Sequence, residues 1–140
     1  MIARLLLLLL LMRMPLAGDA ETEITDVVTN LAAALSDNSP QRFLRVLDRN
    51  MAGYGQIEHD LRALAGDTDI SCSIELIGNT GSADSQQADL DWYMVLRSQQ
   101  DQNLIERRRT KVTIKMEKRG KKWVVTGFSP LSIFAAMTVR

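Results

Sequence analysis

A chain of 140 residues, 46% hydrophobic and 24% charged, has enough apolar material for one core and too little charge bias for a disordered tail. Its formal net charge is zero, and the basic stretch from Arg107 to Lys122 has too little aromatic interleaving to read as a nucleic-acid surface. A single cysteine, Cys72, allows no internal disulfide.

The N-terminus reads as an address. Arg4 precedes an unbroken apolar run, Leu5 to Met12, and the small residues Gly18 and Ala20 follow. This is the layout of a short secretory signal peptide over 1–20, cleaved after Ala20. It predicts an exported mature domain, 21–140, periplasmic or secreted; an uncleaved anchor is the alternative. The run is far shorter than the roughly 20 residues a spanning helix needs, so no membrane span is expected in the mature chain.

Charge is unevenly placed. Glu21 to Asp91 holds 13 acidic and 4 basic residues, a balance of −9; Trp92 to Arg140 holds 3 acidic and 11 basic, a balance of +8. An acidic half facing its own basic sheet accounts for this, and no nucleic-acid partner is expected.

Ile24, Val27, Val28, Leu31, Ala34 and Leu35 recur at helical spacing and predict an amphipathic helix from Glu21 to Ser36. Asp37 to Pro40 breaks the chain, with Ser39 as a candidate cap and Pro40 as the first residue of a second helix, 40–50. Gly53 and Gly55 flank Tyr54 in a loop. A third helix is predicted over 56–65 with Ile57, Leu61 and Leu64 inward and Gly66 as its stop.

Period-two alternation then takes over. Ile70, Cys72, Ile74 and Leu76 define a first strand, with Cys72 a small core residue; Leu90, Trp92, Met94 and Leu96 define the second. A third strand runs 104–117, Gly120 makes a tight turn, and a fourth strand runs 123–129. Antiparallel pairing of successive strands sets Ile74 opposite Trp92, Trp92 opposite Thr110, Leu90 opposite Val112 and Met116 opposite Trp123, with one apolar face throughout. It also brings Ser129 opposite Thr110. The inward positions of the third strand include Glu106, Arg108 and Thr110, and buried charges must pair, reach solvent or line a cavity. Glu106, Arg108, Thr110, Ser129, Trp92 and Tyr54 are therefore the candidate ligand-binding residues. They suit a small apolar or anionic molecule, and loss of Arg108 would remove the ligand at little cost in stability.

Helices followed by a four-strand meander resemble the nuclear transport factor 2-like superfamily, the cone-shaped α+β fold also called cystatin-like. The resemblance rests on the first helix, the segment Asp37 to Leu47 with Phe43, and the strands. It implies three N-terminal helices packed on a strongly curved four-stranded antiparallel sheet. It also implies either a binding or dimerising module or an isomerase, dehydratase or cyclase with its site in the cone. The family's catalytic residues have no matching positions here. No catalytic residue, metal cluster or cofactor is expected, and His59, between Glu58 and Asp60, faces solvent on the helix pattern. The leading expectation is a non-catalytic module that binds a small ligand, pairs with its own copy through the sheet, or does both. The alternatives are a small enzyme using Glu106 as acid or base and a purely structural envelope protein.

Overall fold

The computed structural model describes residues 17–138. The apolar run of the predicted signal peptide lies outside them. Helix α1, Ala17–Ser36, is continuous across Ala20 and buries Ile24, Val28, Leu31, Ala34 and Leu35 as its spacing predicts. It closes at Asn38, the one described non-glycine residue with positive φ, at 56°. The Ser39 amide donates to the Ala34 carbonyl and the Asn38 amide to that of Leu35, the double bond of a left-handed helix stop. Asn38 Nδ2 donates to the Ala65 carbonyl, tying this corner to the third helix. Ser39 makes no side-chain cap, contrary to expectation.

Helix α2 is only Pro40–Leu44, not 40–50. The chain beyond it is drawn onto the open edge of the sheet: the Val125 amide donates to the Val46 carbonyl, and the Asp48 amide to that of Val125. Edge pairing outweighs local helix propensity here. Helix α3, Tyr54–Asp67, starts earlier and ends later than predicted, so Gly66 lies inside it. Thr68 ends it instead, its hydroxyl and amide both donating to the Leu64 carbonyl. The position of Gly53 favours glycine through its φ of 84°, and a Cβ there would also push on the terminal methyls of Leu131, 2.7 Å away.

Strands β1 (Thr68–Gly81), β2 (Ser85–Ser98), β3 (Ile105–Arg119) and β4 (Lys122–Ser129) form one antiparallel sheet in the order β1-β2-β3-β4. The predicted pairs Ile74–Trp92, Trp92–Thr110 and Leu90–Val112 are present. The last hairpin differs. Arg119 pairs with Lys122, so Trp123 faces Lys118 and Met116 faces Val125. Thr126 is then an extra residue between Met116–Val125 and Lys115–Gly127, and Ser129 pairs with Thr113. One inserted residue flips the alternation. Phe128 is thereby buried and Ser129 exposed.

The core lies between the helices and the inner sheet face. Phe43, Trp92, Phe128 and Phe134 meet with ring centroids 5.4–6.3 Å apart, most of them edge-on. Phe134 comes from a short 3-10 turn, Leu131–Phe134, beyond β4. Trp123 anchors the other end, donating its Nε1–H to Glu23 of α1 at 2.7 Å beneath Lys118. Trp92 is fully buried at the centre of the cluster, so Trp92→Ala should cost about 3–5 kcal/mol in urea unfolding. A cost under about 1 kcal/mol would mean the cluster is not the centre of the core.

Candidate functional site

The inner face of β3 carries Glu106 opposite Leu96, Arg108 opposite Met94 and Thr110 opposite Trp92. The structure brings Glu106 and Arg108 together: Arg108 Nε donates to Glu106 Oε2 at 2.6 Å, with side chains only 13% and 11% exposed for Arg108 and Glu106 respectively. The rest of the guanidinium is taken by the chain end. Arg108 Nη1 donates to the Ile133 carbonyl at 2.8 Å and Nη2 to that of Ala136 at 2.9 Å. Thr138 returns to the same pair, its amide and hydroxyl both donating to Glu106 Oε1. The C-terminal segment 131–138 is thus strapped across this end of the cone, with Phe134 inserted beneath it.

The other predicted site residues are dispersed. Trp92 is fully buried in the aromatic cluster. Thr110 is half-buried beside it. Ser129 points outward because of the Thr126 insertion. Tyr54 lines a separate groove on the helical side, with Arg45, Arg49 and Arg62. His59 is exposed, 3.1 Å from the Asp60 carboxylate. Cys72 is half-buried and packs against the core, and burial pushes its thiol up to about 12, which keeps it an unreactive thiol at neutral pH.

A cavity of about 420 Å³ opens at the mouth, beside the strap. Leu64, Leu104 and Met137 form its apolar wall; Asp67, Asp101 and Gln100 form its polar one. Sequence reading missed both the strap and this mouth. The available signals were the apolar Leu131, Ile133 and Phe134 after Pro130, and the need of an inward ion pair for further partners. Among the described residues, no group of three or more His, Cys, Asp or Glu side chains is placed to hold a metal ion.

The surroundings of Glu106 favour its ionised form. Burial pushes the Glu106 carboxyl up, but the Thr138 hydroxyl, the Arg108 guanidinium and the Thr138 amide outweigh it and hold it down at about 2, from an ordinary 4.5. Its folded value lies below its unfolded one, so its contribution to stability is complete above about 4.5 and disappears as pH falls through about 2.

Two outcomes follow from this geometry. Arg108→Ala leaves a buried carboxylate without its guanidinium and should cost about 3–5 kcal/mol in urea unfolding, reversing the expectation of a small cost; a loss below about 1 kcal/mol would show the pair to be dispensable. In a series of melting curves, the wild type should lose more stability than Glu106→Gln as pH falls from 4.5 to about 2. Parallel acid profiles would contradict the assignment of that ionisation to Glu106.

Comparison with other proteins places this geometry in a known fold. No family model matches the sequence, and no curated protein matches it. Solved structures do. A scytalone dehydratase-like protein from Novosphingobium aromaticivorans is similar at 10% identity and a TM-score of 0.70, over 78% of this chain and 80% of that one. An NTF-2-like protein of unknown function from Shewanella oneidensis is similar at 11% identity and a TM-score of 0.62, over 78% and 96%. A protein from Xanthomonas campestris described as a calcium/calmodulin-dependent protein kinase II association domain is similar at 16% identity and a TM-score of 0.61, over 83% and 86%. At these identities the likeness concerns backbone architecture: the chain has the nuclear transport factor 2-like fold.

Proposed function

We propose that this chain is a non-catalytic nuclear transport factor 2-like module that works by association, pairing with a second copy through the outer face of its sheet. The observation that carries this reading is the filled interior of the cone. Its interior is packed by Phe43, Trp92, Met94 and Phe134, all fully buried. Its inward ion pair is engaged by the C-terminal strap. A carboxyl held at about 2 is a poor general base at neutral pH, which weighs against Glu106 as the catalytic group.

The outer face supplies a surface for pairing. Asp69 and Glu75 are exposed on β1, and Arg107, Arg109, Lys111 and Lys115 on β3, with Tyr93 and Val95 half-buried between them on β2. Part of this charge is neutralised within the chain, where Asp91 takes Arg109 at 2.7 Å and Asp89 takes Lys111 at 3.5 Å. Arg107 and Lys115 are left for a partner, while Glu75 also feels the charge of Arg109. A two-fold axis along β2 lays β1 of one copy over β3 of the other, acidic strand on basic strand. An axis across the strands would stack like on like. The resemblance to a protein described as an association domain supports the same reading.

A second reading is favoured by the mouth cavity: a small molecule held against Leu64, Leu104 and Met137. The dehydratase-like similar structure supports that alternative. Among the described residues no helix is long and apolar enough to cross a membrane; export rests on the N-terminal sequence pattern.

Native mass spectrometry of residues 21–140 separates the two readings. The association reading expects a dimer mass with nothing added, a dimer that weakens as salt rises, and a monomer for Val95→Glu. A monomer at every concentration sinks the dimer. Extra mass lost on denaturation favours the small-molecule reading.

A further inference from the structure

The helical half of this protein is acidic, yet three of its four basic residues are gathered in one place. Between Glu21 and Asp91 the 4 basic side chains are Arg42, Arg45, Arg49 and Arg62, with no lysine among them. Three of these, Arg45, Arg49 and Arg62, line a single groove of about 420 Å³ between α2, the following turn and α3. The fourth, Arg42, is held by Asp37 at 2.7 Å outside it. Local sequence does not require this convergence, because Arg62 reaches the groove from another helix.

The acids on the groove wall and beside it in sequence leave the cluster charged; Arg45 also borders a second groove, where Glu23 and Asp26 are accompanied by Lys121 and Lys122. Asp48 lies between Arg45 and Arg49 in sequence but is turned away: Arg119 donates to its Oδ2 at 2.7 Å and the Asn50 amide to its Oδ1. Its carboxyl is held below the usual range, first by the Asn50 amide and then by Arg119. Glu58 is the one acid on the groove wall and makes a long 3.6 Å contact with Arg62, one turn further along α3, with both side chains largely exposed. The side chains of Arg45 and Arg49 have no hydrogen-bond or ion-pair partner among the described residues. The wall charge is therefore +3 from arginine and −1 from Glu58.

The groove also has shape. Tyr54, Glu58 and Arg62 follow one another at intervals of four along one side of α3. Gly53, with its positive φ, starts the helix so that Tyr54 stands at its first turn. Leu44 and Leu47, both buried, form the floor. Guanidinium forks present paired donors that match the oxygens of a phosphate, and a phenol ring over an aliphatic floor suits a flat apolar group.

We propose that this groove is an anion-binding site for a phosphate monoester. Arg45 and Arg49 hold the dianion, Arg62 exchanges Glu58 for a phosphate oxygen, and Tyr54 packs against the esterified group. The site is separate from the cone and from the sheet face, so it stands whether or not the chain pairs. The same chemistry occurs on soluble phosphate esters and on phosphatidic acid headgroups.

The test uses the full chain in calorimetric titration with phenyl phosphate, and co-sedimentation with phosphatidylcholine vesicles made with and without phosphatidic acid. The expected result is saturable binding of phenyl phosphate, or of the phosphatidic acid vesicles, that weakens about tenfold or more in Arg45→Gln/Arg49→Gln and stays within about twofold of wild type in Arg42→Gln. Circular dichroism of each variant should be unchanged, since the substituted side chains are exposed. Phenyl phosphate binding without vesicle binding assigns a soluble ligand; vesicle binding that requires phosphatidic acid and the two arginines assigns the lipid. No saturable binding to either probe overturns the proposal. So does binding that the double variant leaves intact, or that Arg42→Gln weakens equally.

Discussion

A charged pair on the inner face of a sheet is a constraint that the rest of this molecule answers. Glu106 and Arg108 sit where alternation aims them at the core, and two ions withdrawn from water need nearly every donor and acceptor satisfied. Their mutual contact at 2.6 Å uses one oxygen and one N–H. The remaining polar atoms need backbone partners, and the C-terminal segment supplies them through Ile133, Ala136 and Thr138. The same segment carries Phe134 into the aromatic cluster. One ion pair thereby couples the position of the chain end, the filling of the cone and the size of the mouth.

Parity governs the sheet. Where strands keep strict alternation, as in β2 with Ala88, Leu90, Trp92, Met94 and Leu96 all buried, the inner face is dry. Two insertions break the rule: one near Ile77, which is left 60% exposed, and one at Thr126. The second sends Ser129 outward and Phe128 inward, exchanging a polar group for a ring in the core. On the outer face the carboxylates reach diagonally, Asp91 to Arg109 and Asp89 to Lys111, although Asp91 and Lys111 are the register partners. Long side chains on a twisted sheet often find the diagonal neighbour.

The charge segregation visible along the chain becomes two different surfaces in space. The sheet face is split between an acidic first strand and a basic third strand, an arrangement suited to a self-complementary partner. The helical side is acidic except for one groove lined by arginines. Asp48 could have neutralised that groove, but it is committed to Arg119 at the β3–β4 hairpin, so a contact on one side of the molecule leaves positive charge on another.

Local periodicity by itself determined the helix α1 stripe, the inward set of each strand, the order of the sheet and most of the β1–β2–β3 register, because burial on one face fixes alternation residue by residue. It also determined that Glu106 and Arg108 point inward. What only the tertiary structure decided was everything set by groups distant in sequence. The edge of β4 cut α2 short by pairing with Val46 and Asp48. An extra residue at Thr126, silent in the pattern, reversed Ser129. The strap reached back 32 residues, from Thr138 to Glu106, to satisfy a carboxylate. Three arginines from two segments met at Tyr54. Period and propensity describe neighbours along the chain, whereas sites are built by the long-range pairing of polar atoms that burial makes obligatory.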